Sequence, residues 1–355
     1  MLKFYLKFGI KLISDLFPKQ IFVKKEILHA KKKHPLKIFL EKCYRLKNIL
    51  KIIRKLRNFS QIYNLLEDQY SKQVFIRLLS ARVFGFENVF VSPIANIKWI
   101  NKNSFFESLY DSNQVIDDGK YKLNLFNLRS IGFPLRVYDD NASLAFAFLI
   151  EQYRYKHNNI IEVEKGDYVI DAGACWGDTA LYFAAKTGIF GKVFSFEFLE
   201  RNLKIFKENL NLNPNLKDII EINKRPIWKD SNTELNFYED GVSGVVFFNN
   251  EKNSTEKLIT ISIDDFVKEK KLAKIDFIKM DIEGAEVAGL LGAKETIIKY
   301  QPKLAISIYH KIEHIYKIPK YINSFNLNYK FYIDHFSTGR AETILFAIIP
   351  NEKIE

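Results

Sequence analysis

The sequence predicts an α/β fold organised around a mainly parallel β-sheet, and three observations predict it. From Gly166 onward, short apolar runs alternate with amphipathic ones, the pattern of successive βαβ units. The first of these runs leads straight into a glycine-containing turn and a helical stretch, VIDAGACWGDTALYFA. A later one, FIKMD, ends in a slim acidic turn, IEGAE, followed again by a helical pattern.

In chain order the sheet strands are expected at Tyr168 to Asp171, Val193 to Glu197, Ile219 to Asn223, Phe277 to Asp281 and Leu304 to Ile308. Helices are expected between them at 178 to 187, 200 to 211, 284 to 299 and 313 to 325. An inserted set of strands is expected at 233 to 263, and YKFYID with ETILFAII reads as a strand pair closing one sheet edge. Upstream, residues 60 to 90 carry a helical stripe of Leu65, Leu66, Val74, Phe75, Leu78 and Leu79. Residues 95 to 140 lose that period and suggest short strands around the Gly132-Phe133-Pro134 turn, and 142 to 157 is expected as a helix entering the next domain. The expected division is a basic amphipathic extension at 1–59, a helical cap with short strands at 60–159 and the main domain at 160–355.

Charge is distributed unevenly. The net charge is +12, yet residues 1 to 57 alone hold 17 Lys or Arg against Asp15, Glu26 and Glu41, which leaves the rest near neutral. Lys3, Lys7 and Lys11 recur every four residues, and LKIFLEKCYRLKNILKIIRKLRNF after Pro35 is a second basic amphipathic stretch. Such helices either lie on an anionic membrane surface or pack their apolar faces on the protein or a second copy. Aromatic stacking positions are not interleaved with the charges, which argues against nucleic acid. No run of eighteen apolar residues and no cleavable leader pattern is present. Cys43 and Cys175, far apart and without CxxC spacing, offer neither a disulfide framework nor a thiolate metal site. A reducing, cytoplasmic compartment fits, with the inner membrane surface as the place a basic extension would touch.

Three places carry chemistry. The turn at Gly173 and Gly177, opening a helix at Asp178-Thr179, allows close backbone approach to a ligand and favours a carboxylate at the helix start. Ala174 and Cys175 between only two glycines weigh against the GxGxxG of a dinucleotide site; the other reading is a tight turn with no ligand. Glu197 ends the second strand about 26 residues after Asp171, where a carboxylate can accept two ribose hydroxyls; otherwise it is a solvated acid. Asp281 ends the later strand, with Glu283 and Glu286 three apart at a helix start, where acids also stabilise the helix dipole.

The segments VIDAGACWGDTALYFA, FSFEFLERNLKIFKENLNLN, ISIDDF, FIKMDIEGAEVAGLLGAKETI and PKLAISIYHK with IYKIPKYI, in this order, resemble the FkbM-type methyltransferases of the class I S-adenosylmethionine-dependent superfamily. LLEDQYSKQVFIRLL and IEQYRY extend the likeness to about residues 60 to 349, leaving 1 to 59 outside it. The resemblance implies a Rossmann-like three-layer sandwich on a seven-stranded sheet of order 3-2-1-4-5-7-6, with S-adenosylmethionine as cofactor. It implies that Asp171, Gly173, Gly177 and Thr179 surround the methionine moiety. Glu197, followed by Phe198, would hold the ribose; Ile227, in the segment from Arg225, would lie near the adenine; and Asp281 would stand at the neighbouring strand end. This chain has Phe198-Leu199 where the family commonly has Pro after the Glu, and Pro226 where a small residue is usual.

The implied reaction is methyl transfer, with the hydroxyl of a sugar, glycan intermediate or secondary metabolite as acceptor. An alternative is an inactive cofactor-binding partner protein recruited through the basic amino-terminal helices. An alcohol acceptor needs a proton removed, for which His310, Asp281 and Glu283 are the candidates, His310 being favoured because an ordinary imidazole titrates nearest neutrality. No metal is expected, since no thiolate set or HExxH pattern supports the His310 and His314 spacing. A homo-oligomer is compatible with the sequence.

Overall fold

A computed structural model describes residues 52–93, 103–117, 119–240, 243–247 and 257–350, with backbone alone at 238–240 and 243–247. Nearly all of the basic extension, and the membrane contact expected of it, lies outside the described residues. The elements run α1 (Leu56–Leu65), α2 (Gln69–Phe84), α3 (Asn103–Glu107), β1 (Tyr110–Asp117), β2 (Lys122–Asn127), β3 (Arg136–Asp139) and α4 (Asn141–Leu144). There follow β4 (Tyr155–Lys156), β5 (Ile160–Ile161), β6 (Tyr168–Ala172), α5 (Asp178–Thr187), β7 (Lys192–Phe196), α6 (Glu200–Leu212) and β8 (Ile220–Asn223). The chain continues through β9 (Glu234–Asp240), β10 (Ser243–Phe247), β11 (Lys257–Ile259), α7 (Ile263–Glu269), β12 (Phe277–Met280), α8 (Glu286–Leu291) and α9 (Lys294–Tyr300). It ends with β13 (Lys303–Ser307), α10 (His314–Asn323), β14 (Lys330–His335) and β15 (Thr343–Ile348).

Seven strands form one sheet in the order β14-β15-β13-β12-β6-β7-β8. The pairs β13/β12, β12/β6, β6/β7 and β7/β8 are parallel, and β15 runs antiparallel to β13. β12 and residues 169–172 of β6 are buried throughout, as strands covered on both faces must be, which is why they read as continuous apolar runs. Lys279 interrupts the run in β12, and it lies in register with Asp171 of β6. The inserted strands are a separate antiparallel sheet, β10-β9-β11.

By internal contacts the chain divides into residues 1–96 with 330–343, and 97–329 with 344–355. In the second unit, Asn209 of α6 and Asn213, which follows that helix, hydrogen-bond to the backbone of β3: Asn209 receives Tyr138 N–H at 2.7 Å and donates to Tyr138 C=O at 3.1 Å. Asn213 receives Arg136 N–H at 3.0 Å and donates to Arg136 C=O at 2.6 Å. Each amide supplies one donor and one acceptor, so the pair completes the strand's hydrogen bonding as another strand would. In the first unit Asp68 caps α2, accepting Ser71 N–H at 2.7 Å, and so splits the helical stretch expected over 60 to 90.

Two other helices differ from expectation. The one expected at 142–157 is α4, capped by Asp140, followed by a π-helical turn at Ala145–Ile150. It stops at Glu151, whose left-handed backbone (φ 53°) is held by ion pairs to Arg154, Lys156 and Lys186 at 2.8, 2.9 and 2.7 Å. Burial alone would raise that carboxyl, but the bonds to Lys186, Lys156 and Arg154 outweigh it and hold it at about 2. The helix expected at 284–299 is broken into α8 and α9 at Gly292, where a Cβ would come within 2.2 Å of the Trp228 carbonyl oxygen. Asp264 then accepts the N–H groups of Glu295 and Thr296 at the start of α9, at 3.0 and 2.7 Å.

Candidate cofactor and acceptor site

The parallel strands of the second unit end their carboxyl termini together, and the turns after β6, β7 and β12 form the site, as open α/β sheets place theirs. The turn after β6 needs its glycines for two separate reasons. Gly173 (φ 86°) packs so close to the end of β12 that a Cβ would lie 1.9 Å from the Asp281 carbonyl oxygen. Gly177 (φ 85°) meets the Phe206 ring at 2.2 Å in the same test. Both residues therefore pin the turn to its neighbours, a constraint that exists whether or not a ligand is recognised there.

Asp171 does not stand at the strand tip as expected. It is fully buried, paired with Lys279 at 2.9 Å and accepting the Thr179 hydroxyl at 2.9 Å. Lys279 also donates to the Gly173 carbonyl at 2.5 Å. With its oxygens used inside the protein, Asp171 acts as a strut under the glycine turn, and Thr179 shares that task. Burial works against the charge of Lys279, but Asp171 and Asp281 raise its pKa above the ordinary lysine value. A lysine inside an otherwise apolar strand was the sequence signal for this pair, since a buried charge requires a partner.

Glu197, immediately after β7, is 8% exposed. One oxygen accepts the N–H groups of Phe198 and Leu199 at 2.7 and 2.8 Å, and the other accepts Asn202 at 3.2 Å. Burial pushes its carboxyl up to about 7 against those bonds and one from the Cys175 backbone. The Phe198 ring stacks edge-on against Phe237 at 5.5 Å, and Ile227 is buried beside the inserted sheet through its bridge to Ile261. Arg225, two residues earlier, forms a bidentate pair with Glu269, both contacts at 2.9 Å.

Past β12 the backbone turns through Glu283 (φ 54°) and Gly284 (φ 93°), bringing Asp281, Glu283 and Glu286 to one side. His310, after β13, points its two ring nitrogens into this group: Nδ1 is 2.9 Å from Glu286, and Nε2 is 3.0 Å from Glu283 and 3.6 Å from Asp281. Glu286 is wholly buried and also takes the N–H groups of Ile282 and Gly284 at 3.1 Å and His314 Nδ1 at 3.0 Å. Burial opposes charge on His310, but its bonds to Glu283 and Glu286 and the charge of Asp281 push it up to about 11. The ring is therefore cationic at neutrality, which is the wrong state for the proton acceptor expected of it. In return, His310 and His314 hold the Glu286 carboxyl well below the usual range despite its burial.

Asp281 itself is raised by burial, with His310 and Lys279 opposing and Glu283 and Glu286 adding to the rise. It accepts the hydroxyls of Tyr153 at 2.9 Å and Tyr309 at 3.1 and 3.2 Å. Nothing in the local sequence of these tyrosines shows that two distant hydroxyls converge on one carboxylate. Among the described residues, Asp281, Glu286 and His310 offer atoms within 4.8 Å of one another, close enough to surround a metal ion. The Glu286 oxygens in that set are already taken by two imidazoles and two backbone N–H groups.

No curated protein sequence matches the chain. Among solved structures it is similar to the FkbM methyltransferase of Methylobacillus flagellatus KT, with 18% identity and a TM-score of 0.55 over 86% of this chain. The chain spans 62% of the length of that neighbour. It is also similar to an O-methyltransferase of Bacillus cereus solved with SAH, at 12% identity and a TM-score of 0.37, covering 69% of this chain and all of that one. The first likeness supports the fold; the second is too distant to carry an argument. Residues 171–331 match the model of the methyltransferase FkbM domain.

Proposed function

We propose that the protein is an S-adenosylmethionine-dependent methyltransferase acting on a hydroxyl of a sugar, glycan intermediate or secondary metabolite. The observation that carries this reading is the convergence, at the carboxyl ends of adjacent parallel strands, of a glycine turn, a buried Glu197 and the Asp281 cluster. The match to the FkbM domain supports it.

The residues present fit such a cofactor. Glu197 is a buried carboxylate immediately after β7, the kind of acceptor that suits ribose hydroxyls, and the turn beside it carries glycines at Gly173 and Gly177. When bound, the cofactor supplies a methyl group made electrophilic by its sulfonium. The protein's own tasks are then to align the acceptor oxygen with that carbon and to take the hydroxyl proton as the new C–O bond forms.

Asp281 is the group best suited to take that proton. Burial makes it a stronger base than an ordinary carboxylate, and Tyr153 and Tyr309 fix its orientation. The His310 cation beside it balances the charge of the cluster, and Glu286 positions that ring. Methyl transfer from radiolabelled S-adenosylmethionine to a panel of glycans and small alcohols tests the proposal, with Glu197→Ala as the cofactor-site control. Label transferred equally by wild type and control, or by neither, would remove it.

A further inference from the structure

The expected partner of the cofactor's amino-acid end, Asp171, is bound to Lys279 and Thr179, so that end of the site needs another anion if it is to hold an ammonium group. The structure has one in a place the sequence motifs do not mark. Asp139 is the last residue of β3, and it is fully buried. One of its oxygens accepts Asp140 N–H at 2.8 Å; the other has no hydrogen-bond partner.

Its position beside the glycine turn is set by a single amide. Asn209 Nδ2 donates both to Tyr138 C=O, next to Asp139, and to Trp176 C=O inside the turn, at 3.1 and 2.9 Å. Asp178, two residues beyond Trp176, is also buried and acts on Asp139 as a like charge. The Cys175 thiol is pushed up by burial and by Asp178, Glu197 and Asp139, and stays neutral. Lys279 is close enough to oppose the rise of Asp178 but is already committed to Asp171. A pair of buried carboxyls with one orphaned oxygen is costly unless a proton or a cation lies with them.

Resting on the cofactor reading above, we propose that Asp139 and Asp178 together anchor the α-ammonium group of the bound cofactor, so that β3 supplies part of the methionine subsite. The excess of negative charge at this end complements a ligand that carries two positive centres, an ammonium and a sulfonium. Asn at position 139 keeps the neutral state that a proton gives the buried acid in the free protein, but cannot become the anion that the ammonium group requires.

Calorimetry on the full chain with S-adenosylhomocysteine and with methylthioadenosine, which has the nucleoside and thioether but no amino-acid tail, tests this. Asp139→Asn should lower the affinity for S-adenosylhomocysteine about 10- to 100-fold, leave methylthioadenosine within about twofold, and not lower the unfolding temperature of the free protein. Asp178→Asn should show the same split and serves if the first variant does not fold. Unchanged S-adenosylhomocysteine affinity, or equal weakening of both ligands, overturns the assignment while leaving the function reading intact. Wild type that binds neither compound overturns both.

Discussion

At the proposed cofactor end of the site, Glu197, Asp178 and Asp139 are buried with hydrogen bonds but no cation of their own; at the proposed acceptor end, Glu286 is buried between two imidazoles. The outcomes are opposite. Burial lifts Glu197 and Asp178 to about 7 and raises Asp139 well above its ordinary value, while His310 and His314 keep Glu286 ionised. The difference teaches that burial by itself does not say what a carboxylate is for. An acid with its counter-charge supplied by the protein is a structural part, and one without it is available to a charged or hydroxyl-bearing ligand.

The comparison breaks most visibly at Glu286. Glu286→Ala should destabilise the protein by about 3–5 kcal/mol in urea denaturation, because it strands two imidazoles and two backbone N–H groups. A loss below about 1 kcal/mol would show that the imidazoles find other partners. At the other end, Glu197→Ala should reduce S-adenosylhomocysteine affinity about 10- to 100-fold by calorimetry, with a much smaller effect on folding. Equal stability losses at the two positions would erase the distinction between them.

His310→Ala sharpens the acceptor end. It should lower kcat about 100-fold while leaving the calorimetric affinity for S-adenosylhomocysteine within about twofold, since the ring touches the acid cluster and not the glycine turn. Activity near that of wild type would end its part in the reaction.

The unfolding temperature should carry the same contrast as a function of pH. Glu197 and Asp178 bind a proton more tightly folded than unfolded, so their contribution to stability falls as pH rises from about 4 through about 7. Glu286 works the other way: its contribution is present above the ordinary glutamate value and is lost on acidification below it. His310 contributes fully below 6.5 and progressively less towards about 11. The midpoint should therefore be highest at about pH 4 and be lower by roughly 5 °C at pH 8. A flat profile would show that the cofactor-end acids are not linked to folding. The smallest effect expected is that of a chelator. EDTA should leave activity unchanged, because a cationic His310 cannot also ligate a metal; lost activity restored by a divalent ion would reverse that view.

The fold was legible where one residue pattern dominated. Continuous apolar strands, the glycine turn and Glu197 all announce themselves locally, and the parallel strands lie where the alternation put them. Helix ends were less legible because side chains from elsewhere set them: Asp264 restarts a helix after Gly292, and three basic residues hold Glu151. The site divides in the same way. Asp281, Glu283 and His310 were readable as a group, but their protonation states follow from the packing of all the acids around one ring. Asp139 and the two tyrosine hydroxyls on Asp281 come from segments whose sequence carries no sign of the partner.

Asn209 and Asn213 grip β3 by its peptide groups and make no demand on what that strand displays. A scaffold fastened in this manner tolerates rewriting of its decoration: the side chains of Arg136, Val137 and Tyr138 can be exchanged without loosening the mount.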